Sequence, residues 1–216
     1  MWSLFEDESV KIKWEGKIIS IQPRTRVWRY LTSNRTHYHI GYNIFVAGKC
    51  DEGLEVFCVA ISEKQHLKSD FRIGDVVSGT GWTKKYSNRE FADFYRAGSL
   101  KIHKKRKPTA DSECPWTGRM PLMDVYEYRG ARMLAKSMWN GKCFTCYYAA
   151  MANVEIQWDF DRDVKKYRFE SFCYGPKSCK NYKPGRSRAV PYKGGKSALD
   201  DGNLDEMLTD HRDFDD

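Results

Sequence analysis

Along the first hundred residues the apolar positions recur mostly at every second residue, the period of a strand with one buried face. Residues 10–22 (VKIKWEGKIISIQ) read as a long strand, followed at 23–37 (PRTRVWRYLTSNRTH) by a polar, basic loop with strand-like ends. Residues 38–47 (YHIGYNIFVA) and 54–61 (LEVFCVAI) read as second and third strands around a turn at 48–53. Residues 62–71 form a short helix, with Ser62 as N-cap and Gln65 as its capping-box partner. Residues 76–82 and 92–102 are strands four and five, separated by a loop at 83–91. Trp14, Phe45, Phe57 and Phe94 are assigned to the core, because a small all-β unit needs large side chains inside. The alternation in the second strand leaves two phases open, with either His37 and His39 or Tyr38 and Tyr42 facing outward.

After the charge run ending at Pro108 the pattern changes. Residues 109–197 make a second unit and 198–216 an acidic tail. Residues 124–139 (DVYEYRGARMLAKSMW) predict a helix over at least the second half, with Leu134 and Met138 four apart, Gly130 weakening the first half and Asn140-Gly141 as the stop. Residues 153–158 and 165–172 are paired strands around a turn at 159–163. Four cysteines flank this hairpin, Cys143/Cys146 in CFTC and Cys173/Cys179 in CYGPKSC. Two close pairs brought together by a hairpin suit a soft, thiolate-rich metal site, expected to hold structural Zn²⁺, with an iron–sulfur cluster as the alternative. Cys114, followed by proline, is a spare ligand candidate.

The order of three strands, a short helix and two more strands, together with the phrase FRIGDVVSGTG at 71–81, resembles the OB-fold. The knuckle, hairpin and second cysteine pair are similar to zinc-ribbon construction. The fold class expected is therefore mainly β (α+β): a five-stranded OB-like barrel over 1–108, then a small metal-bound β-hairpin module with one helix. Gly79 and Gly81 would let strand four bend around the barrel. The OB resemblance implies oligonucleotide binding through the second and third strands and two loops. In this sequence those loops carry Arg24, Arg26, Trp28, Arg29, Tyr30 and Arg35, and Lys84, Lys85, Tyr86 and Arg89, cations interleaved with rings.

Charge sharpens this reading. The chain of 216 residues has a formal net charge of +8, yet residues 198–216 hold eight acidic side chains and one arginine, a balance of −7 that leaves about +15 for the rest. Residues 180–196 add an extended basic segment in which Arg186 and Arg188 alternate toward one side. The expected function is non-enzymatic binding of single-stranded DNA or structured RNA. The alternatives are an adaptor whose acidic tail engages a protein partner and a metal-dependent nuclease built on Glu155, Asp159, Asp161, Asp163 and Glu170 with Lys165 or Lys166. No phosphate-binding loop, HExxH or nucleophile–His–carboxylate set is present, so no catalytic residue is assigned. No leader and no apolar run long enough for a membrane span is found, and seven cysteines without a leader fit a cytoplasmic protein.

Overall fold

A computed structural model describes residues 8–30, 35–107, 113–159, 164–186, 190–192, 195–197, 201–214 and 216. Its backbone is the long antiparallel hairpin of β1 (Lys11–Tyr30) and β2 (Arg35–Cys50), paired from Trp14 opposite Cys50 to Arg29 opposite Arg35. The loop expected over 23–37 is overturned: residues 23–30 and 35–37 are strand. The stretch looks uniformly polar because arginine serves both faces, Arg24 and Arg26 outward and Arg29 and Arg35 inward. Pro23 lies between the part of β1 that pairs with β4 and the part that pairs with β7. There the strand has a neighbour on one side, a position proline tolerates.

β2 continues to pair with β3 (Val56–Ile61), which meets β5 (Phe94–Lys104) in parallel at Val59 and Phe94. β5 pairs with β4 (Val76–Thr83), and β4 returns to residues 11–17 of β1, closing a ring of five strands. α1 (Glu63–Ser69) lies between β3 and β4 and carries the predicted capping box of Ser62 and Gln65. Trp14, Ile18, Ile44, Val46, Phe57 and Phe94 are buried inside, each large apolar side chain contributing about 1.5–3 kcal/mol. A Cβ on Gly79 would stand 2.6 Å from the Trp14 ring, so the glycine gives that indole its place. Phe45 is also buried, but in a neighbouring cluster with Trp139 and Phe144.

The far end of β1 does a second job. Residues 26–30 pair in parallel with β7 (Ala149–Asp159), which forms the predicted hairpin with β8 (Val164–Cys173), and β8 pairs with β6 (Arg132–Met133). The result is one mixed sheet of eight strands running through both halves of the chain. Tyr126, Phe172 and Tyr174 accordingly share a core with Trp14 and Ile18.

The helix expected within 124–139 is replaced by α2 (Met123–Arg129), β6 and α3 (Lys136–Trp139). Gly130, at φ 64°, ends α2, and a Cβ there would lie 2.0 Å from the Leu208 carbonyl oxygen. The residues after it gain more by pairing Arg132 and Met133 with Cys173 and Phe172 than by continuing the helix. Residues 190–192 and 195–197 form a two-stranded sheet, β9 (Val190–Tyr192) with β10 (Gly195–Ser197). The acidic tail, whose composition is compatible with disorder, packs down instead. α4 (Asp201–Met207) presents the buried Asp205, which accepts hydrogen bonds from Arg35 and from the Met133 N–H at 2.6 Å. Arg129 closes the end of the chain through Asp216 at 2.6 Å. Replacing Asp205 by alanine removes the acceptor of the buried Met133 amide and the carboxylate partner of Arg35, and a loss of about 2–3 kcal/mol is expected in urea unfolding. A loss under about 0.5 kcal/mol, the size typical of surface substitutions, would mean that the tail contributes nothing to the fold. No helix among the described residues is long and apolar enough to cross a membrane.

Candidate functional site

The β1–β2–β7–β8 portion of the sheet has two unlike faces. Its inner face carries Thr25, Val27 and Arg29 of β1 with Ala152, Val154 and Ile156 of β7, all buried. The outer face is set by register. Tyr38, Arg26, Asn153 and Phe169 form one row across the four strands, and Thr36, Trp28, Glu155 and Tyr167 form the next. Arg24 and Tyr30 continue the face along β1. Tyr38 is 54 % exposed, and its ring centroid is 6.2 Å from that of Trp28. The open phase of β2 is thereby decided: Tyr38 faces outward, while His37 and His39 turn toward the core. Tyr42 is also buried, because the β1–β2 register shifts between Pro23 and Thr25.

The loop between β4 and β5 closes one side of this face. Asn153 donates its side-chain amide to the Arg89 carbonyl oxygen. The Arg89 guanidinium lies 4.8 Å from the Tyr86 ring and 4.5 Å from the Tyr167 ring, a cation held between two aromatic faces. Lys85 lies 5.7 Å from Tyr86. Between loop and sheet runs a groove of about 240 Å³, lined by Arg26, Trp28, Tyr86, Arg89, Glu155 and Tyr167 among others. Arg24 stacks on Tyr95 at 4.8 Å, and partial burial lowers its pKa. Lys84 is tied to Asp93 at 3.3 Å.

Two arginines assigned to this surface do not belong to it. Arg29 is fully buried, donating from Nε at 2.9 Å and from Nη2 at 2.6 Å to Glu170 Oε2. Arg35 is buried against the Phe172 ring and donates to Asp205 and to the Ala131 carbonyl oxygen. Both point inward because they occupy the odd-numbered phase of their strands. Glu170, a carboxylate of the nuclease alternative, is held in the core by Arg29 and Arg168. Glu155 pairs with Lys165 at 3.2 Å. The side chains of Asp159, Asp161 and Asp163 lie outside the described residues, as does Arg188, while Arg186 is exposed.

The cysteines gather at the other end of β7 and β8. Register places Cys173 beside Ala149, three residues past Cys146, and Cys143 and Cys146 share a buried cluster with Cys173. The CFTC turn is held from β1: Ser20 and Gln22 both donate to the Phe144 carbonyl oxygen, Gln22 at 2.7 Å, and Trp139 Nε1 donates to Gln22 Oε1 at 2.9 Å. These two buried polar residues were not anticipated; their signal is polar chemistry on the inward phase of an apolar strand. Asn181 Nδ2 donates to Cys114 Sγ and to its carbonyl oxygen, each at 3.3 Å, and Cys146 and Cys179 lie near enough to act on the Cys114 thiol.

The electrostatics are those of crowded thiols. Burial pushes the Cys143 thiol up to about 12, with Cys173, Cys114 and Cys179 adding to it. The hydrogen bond with Cys114 and then burial raise Cys179, and burial raises Cys173. Each thiolate formed would repel the next, a cost that a divalent cation reverses. Among the described residues no group of three or more His, Cys, Asp or Glu side chains is arranged to hold a metal ion as it stands. The donor type fits zinc, since sulfur ligands delivered from tight turns are what structural zinc sites use.

Behind the outer face a chain of polar groups is sealed in the core. His37 Nδ1 lies 3.1 Å from the Tyr174 hydroxyl, which donates to Thr25 Oγ1 at 3.4 Å, and Thr25 Oγ1 lies 2.9 Å from His39 Nδ1. Burial lowers the pKa of both histidines, His39 to about 4. Compared with known proteins, the chain is matched by no family model, no curated protein and no solved structure.

Proposed function

We propose that this chain is a non-enzymatic binding protein for single-stranded nucleic acid, DNA or RNA, that its five-stranded ring is an OB-like barrel, and that its thiol cluster holds structural zinc. The observation that supports the binding reading is the register that sets Arg24, Arg26, Trp28 and Tyr30 beside Tyr38 and Tyr167 on one open sheet face. Bases stack on Trp28 and Tyr38, and Arg24, Arg26, Lys85 and Arg89 meet phosphates. Stacking is the sequence-tolerant part of this recognition, because every base offers a π-face, while cations follow the backbone. A four-stranded open face suits splayed bases better than a duplex groove, and among the described residues no helix extends from it to read one. Zinc would cross-link the two cysteine turns and fix where the basic segment after Cys179 leaves the body. A colourless, zinc-loaded preparation supports it, and a brown one indicates an iron–sulfur cluster.

Fluorescence anisotropy of labelled single-stranded DNA and RNA across a salt series tests the binding reading. Trp28→Ala with Tyr38→Ala is expected to weaken binding by about 30-fold or more, since each stacked base contributes about 1–3 kcal/mol. Arg26→Gln is expected to reduce the slope of log affinity against log salt by about 0.7, because one phosphate is no longer neutralised. Absence of binding at low salt overturns the function, and tight binding indifferent to both rings moves it off this face. The adaptor alternative, with the acidic tail engaging a protein, is less favoured because Asp205 and Asp216 are already engaged within the chain.

A further inference from the structure

We propose that the β1–β4–β5 side of the five-stranded ring is a second nucleic-acid surface, one that holds the phosphodiester backbone without reading bases. Its cations are Lys13, Lys17, Lys101, Lys104, Arg106 and Lys107. The inference rests on reading the chain as a nucleic-acid-binding protein, but not on the aromatic face described above.

The charge run that ends at Pro108 has no place on the aromatic face. In a free linker such cations would repel one another and spread into solvent. Here the run is pinned. Asp75, fully buried, accepts a hydrogen bond from the Arg106 N–H at 2.6 Å and another from Lys105 Nζ at 3.1 Å. Lys105 Nζ also donates to the Ser69 carbonyl oxygen at 3.0 Å. Gly74, at φ 96°, leaves room for the Arg106 stem, since a Cβ there would stand 3.3 Å from Arg106 Cδ. One buried carboxylate thus holds the basic run against the start of β4. The outcome is a groove of about 600 Å³ lined by Lys17, Val76, Lys104, Lys105, Arg106 and Lys107 with Gly74, and no acidic side chain lines it.

Register extends this groove into a face. Lys17 and Lys104 lie on either side of Val76, and Glu15 and Lys101 on either side of Ser78. Strands about 4.8 Å apart place Lys17 and Lys104 about 10 Å from each other across β4. Lys13, Lys17, Lys101 and Lys104 are all exposed. A second groove, of about 440 Å³, adds Lys49 to Lys13 and Lys101, with the hydroxyls of Ser78, Thr80 and Ser99. Cations and hydroxyls are the side chains that contact phosphate. Glu15 and Asp51 also line this second groove, and Asp51 accepts the Lys13 N–H at 2.7 Å. Among the described residues Lys105 alone of these cations has a carboxylate partner. Apart from the buried Trp14, no aromatic side chain lines either groove. Such a surface neutralises phosphates but gives bases nothing to stack on, so its occupant is backbone. β1 carries Lys17 on this surface and Arg24 on the aromatic face, seven residues apart and so separated by on the order of 20 Å. One long strand can engage both and gain affinity from the linkage.

The test compares two labelled single-stranded DNA oligonucleotides by anisotropy across a salt series. One has about eight nucleotides, within the range of a single OB-sized site, and the other about thirty, enough to bridge both surfaces. The variant combines Lys13→Gln, Lys17→Gln, Lys101→Gln and Lys104→Gln, with an unchanged urea midpoint as the check on folding. It is expected to bind the short oligonucleotide as the parent does. It should bind the long one about tenfold more weakly or worse, with the slope of log affinity against log salt reduced by about 2–3, or about 0.7 for each phosphate no longer neutralised. In the unaltered protein, lysine acetylation mapped by mass spectrometry should show Lys17 and Lys104 protected by the long oligonucleotide and not by the short one. Unchanged binding of the long oligonucleotide, equal losses at both lengths, or equal acetylation with and without it overturns the inference while leaving the aromatic face standing. Long-oligonucleotide binding that survives Trp28→Ala with Tyr38→Ala but not the lysine changes upholds the inference and overturns the aromatic face. Parent protein that binds neither oligonucleotide at low salt overturns both.

Discussion

Replacing Glu170 by alanine should cost this protein about 3–5 kcal/mol, the expected effect of removing one member of a fully buried ion pair. For a chain of this size the melting temperature should fall by on the order of 10 °C. The carboxylate is fully buried and faces two guanidiniums. Arg29 gives it two hydrogen bonds through one oxygen, and Arg168, partly exposed, reaches the other. Arg29 also donates to Met133 Sδ at 3.3 Å. Without Glu170, Arg29 retains its charge in the interior with its carboxylate partner gone, whereas Arg168 can turn toward solvent. The asymmetry separates this account from simple cavity formation. The double change Arg29→Met with Glu170→Met removes both charges and should stay within about 2 kcal/mol of the parent, because desolvating the pair already offsets most of its attraction. Urea unfolding of the three proteins decides the matter. Glu170→Ala within about 1 kcal/mol of the parent, the range of an exposed pair, would show that the pair is not closed off from water.

The second large effect is a loss of stability in mild acid. His37, His39 and His66 are held neutral, each with its pKa below the usual histidine value and burial as the leading cause. For His37 the nearby Arg35, His39 and Arg29 add to it; for His66, Lys105 and Arg119 add while Asp70 opposes. A folded-state pKa below the unfolded one means that the unfolded chain binds more protons, so stability increases with pH. The contribution is complete above about pH 6.5 and is lost as the pH falls toward the folded values, about 4 for His39 and His66. Each of those two should cost about 3 kcal/mol by about pH 4, and His37 adds to this. The urea midpoint should therefore fall steeply between about pH 6.5 and about 4.5. His66→Leu offers a control, since its ring packs 4.5 Å from Tyr42 and its Nδ1 has no hydrogen-bond partner. That variant should be near neutral at about pH 7.5, well above the histidine range, and should lose less in acid. An identical acid dependence in parent and His66→Leu would refute the assignment of that proton.

Both effects bear on the outer face, because the groups involved lie directly behind it. Arg29 stands between Trp28 and Tyr30, and His37 and His39 flank Tyr38. The inner members of these strands are spent on an ion pair and a polar chain that hold β1, β2 and β8 in register, and that register sets the spacing of the exposed rings. A change at Glu170 or acid protonation should therefore weaken any ligand of the face without touching it.

The order of the first five strands, the helix after the third and its capping box were legible in the chain, as were the β7–β8 hairpin and its flanking cysteines. These features are local. Strand periodicity, a serine three residues before a glutamine, and glycine-rich turns act over a few residues, and distant partners rarely reverse them. The fate of the arginines was not legible. Arg24, Arg26, Arg29 and Arg35 have the same chemistry, and a strand so rich in cations carries no hydrophobic phase to tell inside from outside. The decision came from Glu170 and Asp205, 141 and 170 residues further along, which neutralise the inward pair. The parallel meeting of β1 and β7, the end of α2 at Gly130 against Leu208 and the arrival of Cys114 between two thiol turns have the same origin. Each depends on partners remote in sequence, whose closure the chain adopts only when the whole sheet assembles. Sequence alone determined which elements form and which residues carry charge, rings and sulfur; tertiary structure decided which of those side chains share a surface, because facing is a property of the assembled sheet and not of any one strand.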